Sequence, residues 1–184
     1  MKALLIVDVQ NDFLKGGSLE VENVEAVIPV INALMDKFSL VIASKDWHPK
    51  QTRHFDKWPP HCLADTKGAE FHPELNQDKI NQIFYKGTKN RDDGYSAFEA
   101  TNIRLMDYLK EKGVSELYIC GIALEFCVKS TALDALKEKL KVFLVRDAIA
   151  TFSQKEEEVK QQYAELEKAG ANIVMSMQIR DNGF

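Results

Sequence analysis

The chain lacks long apolar runs, has no excess of positive charge, and is sparing with cysteine. Each shortage removes a class of function. After Met1-Lys2 the first apolar run is only Ala3 to Val7, and Asp8 interrupts it. That is too short for a secretory signal, and no other run approaches a membrane span. Lys and Arg number 24 against 28 Asp and Glu, a net charge of −4. With no cluster of basic residues interleaved with aromatics, the chain carries no footprint for nucleic acid. Three cysteines, an odd number without a secretory leader, are expected to be reduced thiols in a cytoplasm, free for catalysis or metal binding. Internal repeats, linkers and low-complexity stretches are also missing. What remains is ordinary for a globular protein: 184 residues, 45% hydrophobic and 28% charged. That length suits a single α/β domain spanning 1–184.

Short β-rich runs alternate with helical patterns. Lys2–Val9, Ser39–Ser44, Ile83–Tyr85, Glu116–Cys120, Lys141–Arg146 and Ala171–Met175 read as strands, the first of them buried on both faces. Between them, Val24, Val27, Ile28, Ile31, Leu34, Met35 and Phe38 fall at helical spacing, with Asn23 as a cap and Pro29 forcing a late start or a kink. A second helix is expected over Asn102–Lys112, with Ile103, Leu105, Met106 and Leu109 inward and Gly113 as its stop. A third begins near Leu124–Phe126, with Val128, Ala132, Leu133, Leu136 and Leu140 on one face. A fourth covers Lys155–Ala169, where Lys155-Glu156-Glu157-Glu158 is its solvated first turn and Gly170 its stop. This alternation predicts a three-layer αβα fold around a mostly parallel sheet of about six strands.

The stretch from Asp46 to Cys62, DWHPKQTRHFDKWPPHC, breaks the alternation. It holds three of the four histidines (His48, His54, His61), both tryptophans and three of the five prolines. Imidazole and carboxylate on an irregular loop suit zinc, iron or manganese; the plainer alternative is a surface loop whose histidines satisfy nearby backbone. The loop follows a strand, and an aperiodic segment of roughly this length, 46–80, is uncommon unless it is functional or tied down. Elsewhere, Cys127 falls in the first turn of a helix directly after a strand and a glycine turn. Unpaired N–H groups and the dipole there are expected to lower a thiol pKa and could hold an oxyanion. Asp8 and Lys86 each close a strand at the sheet edge where ligands bind. If they meet Cys127, the Asp can take the thiol proton and the Lys can offset the charge. Cys120 and Cys62 read as packing, and His72 as structural.

Five strings taken together, VDVQNDF (Val7–Phe13), DWH (Asp46–His48), WPPHC (Trp58–Cys62), FYKG (Phe84–Gly87) and GIALEFCV (Gly121–Val128), resemble the nicotinamidases of the isochorismatase-like hydrolase superfamily. Order and spacing match from Asp8 to about Val174. The resemblance implies that Asp8, Lys86 and Cys127 are a catalytic triad and that Asp46, His48, His54 and His61 are metal ligands. It also implies a non-proline cis peptide at Ile122-Ala123 and an oxyanion hole from the amides of Ala123 and Cys127. Phe13, Trp58 and Tyr95 are similar to the family's pyridine-pocket walls. One departure is Leu124-Glu125, where many members carry Thr-Asp; it bears on substrate preference.

The activity so implied is hydrolysis of nicotinamide to nicotinate and ammonia in NAD salvage, through a Cys127 thioester, with one divalent metal, zinc ahead of iron and manganese. The expected partner is a small-molecule substrate, nicotinamide or a pyrazinamide-like analogue, without nucleic acid or membrane; a homo-oligomer is left open. Two alternatives stand beside it. One is an amidohydrolase of the same superfamily acting on a carbamoyl or ureido group. The other is a non-catalytic metal-binding protein on the same fold.

Overall fold

The computed structural model describes residues 1–22 and 24–180. Apolar runs without alternation become strands β1 (Lys2–Val7), β2 (Val41–Asp46), β3 (Gln82–Lys86), β4 (Glu116–Gly121), β5 (Lys141–Ile149) and β6 (Asn172–Val174). They form one six-stranded sheet in the order β3-β2-β1-β4-β5-β6, every pair parallel. The central strand β1 is buried from Ala3 to Val7, which is why it reads as a continuous apolar run. Helices α1 (Val27–Met35), α2 (Leu105–Glu111), α3 (Lys129–Lys137) and α4 (Glu156–Ala169) connect the strands and cover the sheet.

The chain first builds outward from β1 to β3, then returns to start β4 beside β1 on the other side. A crevice opens at such a reversal, beyond the carboxyl ends of the strands. Ile122 N donates to Val7 O at 2.8 Å, which ties the segment after β4 to the end of β1. Gly121 has φ +113°, and a Cβ there would lie 2.1 Å from Val7 O, so only glycine lets the two backbones approach.

Several sequence expectations shift. Strand β2 runs on through Asp46, which pairs with Lys86 in β3, so the aspartate is the last strand residue rather than one beyond it. Pro29 sits in the first turn of α1, after a 3-10 turn at Val24–Ala26, where its missing N–H costs nothing. The cap assigned to Asn23 lies outside the described residues. Ile103 precedes α2 and is 37% exposed, because that helix starts only at Leu105. Before α3, Leu124–Val128 forms a π-helical turn; the extra residue rotates the buried face to Val128, Thr131, Ala132 and Ala135, leaving Leu133 and Leu136 partly covered.

Between β2 and β3 the described elements are short 3-10 turns, and hydrogen bonds from both sides staple the segment down. His48 N donates to Cys62 O and Ala64 N to His48 O, while Asn11 N reaches Glu70 O and His72 N reaches Val9 O. Among the described residues, no helix is long and apolar enough to cross a membrane.

Candidate active site and metal centre

The carboxyl ends of β1, β2 and β3 and the turn after β4 bring the three chemical candidates together. Asp8 leaves β1 with φ 51°, a left-handed conformation that a non-glycine residue adopts at some cost. Its Oδ1 accepts from Ser44 Oγ at 2.8 Å, and its Oδ2 lies 2.8 Å from Lys86 Nζ. That second oxygen is buried and has no well-directed hydrogen bond, so it retains a lone pair for a further donor. Lys86 Nζ also meets Asp46 Oδ1 at 2.5 Å, Gly94 O at 2.7 Å and Cys127 Sγ at 3.5 Å. Ligand atoms of Asp8, Asp46 and Cys127 all lie within 4.8 Å of one another. The Ile122-Ala123 peptide is cis. The amides of Phe126 and Val128 both donate to Ala123 O, and that of Leu124 to Ala150 O.

Electrostatics correct one expectation. Burial would press Lys86 down, but the carboxylates of Asp46 and Asp8 outweigh it and hold the ammonium well above its usual range. Asp8 is raised, chiefly by burial and further by Asp46, against the pull of Lys86. The Cys127 thiol is pushed well up by burial, more than Lys86 can offset, so a helix-end thiolate is not its resting form. The dipole argument misses this because it leaves out the desolvation of the sulfur by the groups packed around it. A proton must therefore be removed from sulfur, and Asp8 is the acceptor in place.

The metal candidates converge next to the triad. Nitrogens of His48, His54 and His61 lie within 4.8 Å of one another. Each ring uses Nδ1 on an oxygen: His48 on Gly87 O at 2.9 Å, His61 on Pro59 O at 2.7 Å, and His54 on Asp92 Oδ1 at 3.1 Å. Carbonyls and carboxylates only accept, so each Nδ1 carries the proton and each Nε2 keeps its lone pair. His48 Nε2 is buried with no hydrogen-bond partner, an orphan that a cation would satisfy. Asp46 Oδ2 stands 3.7 Å from His48 Nε2 and 3.8 Å from His61 Nε2. Burial, with help from His48, pushes His54 down to about 4, so it is neutral and able to ligate at neutral pH. Three imidazoles and a carboxylate held well below its usual range suit a divalent metal. Gly87 makes room: it has φ +66°, and a Cβ there would sit 2.4 Å from the His48 ring.

An open cleft joins the two halves. Cys127 lines it together with Asp46, His54 and His61, and its walls include Phe13, Trp58 and Tyr95. Asp8 and Lys86 are wholly buried behind Cys127. Sequence reasoning missed Leu19, Phe126 and Phe152, which also line the cleft. Phe152 packs edge-on against Phe126 with centroids 5.4 Å apart, and Glu125 accepts from the amides of Phe152 and Ser153 at 3.0 Å each. It also missed Gln10, buried beside Asp46. Gln10 Nε2 donates to Asp46 O at 2.7 Å and to Ala69 O at 2.9 Å, while its Oε1 accepts from Asp46 N at 2.8 Å. Asp12 Oδ2 likewise accepts from Cys62 N at 2.7 Å. Neither residue breaks a pattern, so only their neighbours reveal them. Cys62 is fully buried and contributes packing, as expected. His72 is the one histidine outside the cluster; its Nδ1 accepts from Glu74 N at 3.3 Å, a local structural role.

Comparison with known proteins gives a consistent picture. The profile of the Isochorismatase domain family matches residues 2–178. A nicotinamidase of Acinetobacter baylyi is 39% identical over 170 residues, covering 79% of this chain and 79% of its own. A pyrazinamidase of Pyrococcus horikoshii solved in complex with zinc is 40% identical, with TM-score 0.85, over 95% of this chain and 98% of that one. The PnC1 protein of L. infantum, solved in complex with nicotinate, is 36% identical with TM-score 0.89, over 96% of this chain and 93% of that one.

Proposed function

The chain belongs to the isochorismatase family, and on that premise we propose that its site hydrolyses nicotinamide to nicotinate and ammonia. One observation carries the reading: a single cleft is lined at once by a half-buried thiol beside an Asp–Lys pair and by an imidazole–carboxylate cluster. A carbamoyl or ureido hydrolase would account for the thiol half alone. The intact Asp8–Lys86–Cys127 set speaks against a non-catalytic binding protein.

Asp46, His48, His54 and His61 would hold the metal, zinc in our reading, which when bound supplies a Lewis-acid template for the substrate. The aromatic walls Phe13, Trp58 and Tyr95 sandwich a planar ring and leave its amide facing Cys127. Asp8 takes the proton from Cys127, and the thiolate attacks the amide carbon. The amides of Ala123 and Cys127 receive the oxyanion. Asp8 then gives its proton to the departing nitrogen, which leaves as ammonia, and the acyl group stays on sulfur as a thioester. In the second half Asp8 takes a proton from water, the hydroxide attacks the thioester and the C–S bond breaks, Asp8 returns its proton to sulfur, and the released acid loses its remaining proton to solvent as nicotinate. Lys86 holds Asp8 ionised between these transfers and offsets the negative charge next to it. Residues 1–184 act as one unit in this scheme, with 46–80 as the metal-binding insertion.

The test is ammonia release from nicotinamide by the purified protein, before and after chelation, with metal analysis of the same sample. Release that falls on chelation and returns with a divalent cation is expected. Absence of release under zinc, iron and manganese alike would overturn the assignment.

A further inference from the structure

The histidines and Trp58 sit on the loop after β2 and Tyr95 on the loop after β3, and one carboxylate oxygen of Asp92 on that second loop reaches both. Asp92 Oδ1 lies 3.1 Å from His54 Nδ1 and 2.8 Å from the Tyr95 hydroxyl. Tyr95 in turn accepts from Trp58 Nε1 at 2.9 Å. An indole N–H can only donate and a carboxylate can only accept. The Tyr95 proton therefore has one destination, Asp92, and the chain reads in a single sense: Trp58 to Tyr95 to Asp92, with His54 donating to the same oxygen. This order also fixes the His54 tautomer, with the proton on Nδ1 and the lone pair on Nε2 directed into the cluster. The loops are joined elsewhere near their rims. Thr52 Oγ1 lies within hydrogen-bond reach of Lys89 O and Arg91 O, and Arg53 N donates to Asn90 Oδ1. Asp92 is where that joint reaches inward, with its side chain 24% exposed. Its other oxygen pairs with Lys57, whose side chain is 67% exposed, a contact worth little in water.

We propose that Asp92 is a positioning residue that sets the metal-facing nitrogen of His54 and the Tyr95–Trp58 wall through one oxygen, so that metal affinity and substrate fit are fixed together. The inference rests on the metal reading given above, not on the identity of the substrate. An outer carboxylate behind a ligating imidazole orients the ring and raises its basicity, and removing such a partner weakens metal binding about 10–100-fold. The same removal here also frees the Tyr95 hydroxyl and, through it, the indole that forms the wall.

The experiment compares zinc dissociation constants, measured by competition with a chromophoric chelator, and steady-state constants for nicotinamide. Asp92→Ala is expected to weaken zinc binding about 10–100-fold and to raise KM. Asp92→Asn keeps an oxygen able to accept from both His54 and Tyr95, and is expected to recover most of both losses. Tyr95→Phe cuts the chain beyond Asp92, so KM rises while zinc affinity stays near wild type. Lys57→Ala changes neither. If Asp92→Ala does not yield folded protein, Asp92→Ser carries the same expectation. A merely structural role would lower thermal stability or the active fraction without moving the zinc dissociation constant of the folded protein. Equal zinc affinity in wild type and Asp92→Ala would overturn the proposal alone. A wild-type protein with no measurable zinc affinity would overturn it together with the metal reading. Failure of nicotinamide as substrate would leave the zinc measurement intact.

Discussion

Replacing Gln10 tests whether the site is held by a side chain that has no part in its chemistry. Gln10 is fully buried and spans from the end of β2 to the stapled loop: its amide holds both the N–H and the C=O of Asp46 and also the carbonyl of Ala69. Gln10→Met keeps the length and volume of the side chain but removes all three hydrogen bonds. A net hydrogen bond is worth about 0.5–1.5 kcal/mol, and a buried group left unpaired costs about 1–3 kcal/mol. Water cannot enter to compensate where the position is closed, so the loss should be about 3 kcal/mol. For a protein of this size that corresponds to a fall of roughly 6–12 °C in Tm. Differential scanning calorimetry of the metal-loaded protein measures it. Because Asp46 loses the clamp on its own peptide groups, its carboxylate should also wander, and zinc should dissociate faster on chelation than from wild type. Gln10→Ala adds a cavity and should fall further than Gln10→Met. A Gln10→Met protein that melts within about 2 °C of wild type, a difference of at most ~1 kcal/mol, would refute the reasoning: the clamp would then be geometry without energy.

Two further outcomes follow from the site. Cys127→Ala should abolish ammonia release while leaving the zinc content of the purified protein unchanged, since sulfur is outside the imidazole–carboxylate cluster; substantial residual turnover would remove the covalent step. Glu125→Ala should release the Phe152–Ser153 segment from its two amide contacts and lower kcat/KM for nicotinamide about tenfold, the equivalent of one charge-assisted hydrogen bond. That loss should fall on KM, because Phe152 walls the cleft and has no proton to give or take; an unchanged KM would show that Phe152 does not contact the substrate.

Much of the architecture was legible because the fold writes itself in runs. Six apolar segments with helices between them required a covered parallel sheet, and Asp8, Asp46 and Lys86 could be placed at its carboxyl edge from strand ends alone. The π-helical turn at Leu124–Val128 was not, since one extra residue in a turn leaves no mark on hydrophobic spacing. It moved the buried face of α3 from Leu133 and Leu136 towards Thr131 and Ala135. Gln10, Asp92 and Phe152 were invisible for a different reason. Each acts through a partner distant in sequence, such as Asp46, His54 or Glu125, and a single polar or aromatic residue in a loop carries no periodic signal. Leu124-Glu125 stood out as a departure from the family pattern, and the structure gives Glu125 a use that the sequence could not: its carboxylate accepts the two amides that seat Phe152.

The division of labour between two carboxylates is the step that only the folded geometry decides. Asp8 and Asp46 share the same ammonium, Lys86, on contacts of 2.8 and 2.5 Å. Both are buried, and burial alone would raise both. For Asp46 the rise is outweighed by Lys86 and by the histidines at its other oxygen, and it is held well below the carboxylate range. Asp8 stays raised, chiefly by burial and further by repulsion from Asp46, against the pull of Lys86. Groups whose environments drive them apart in this way take different roles. Asp46 is fixed as an anion, which suits a ligand and makes it a poor proton carrier. Lys86, held well above its usual range, cannot give up a proton either. Cys127 has to lose one, and its thiol is itself pushed up by burial. The raised Asp8 is therefore the one group beside the sulfur with a proton affinity moved towards that of its donor, and the smaller that gap, the less uphill the transfer. In the proposed scheme, Asp46 as metal ligand and Asp8 as general base would thus depend on each other through a single lysine, Lys86.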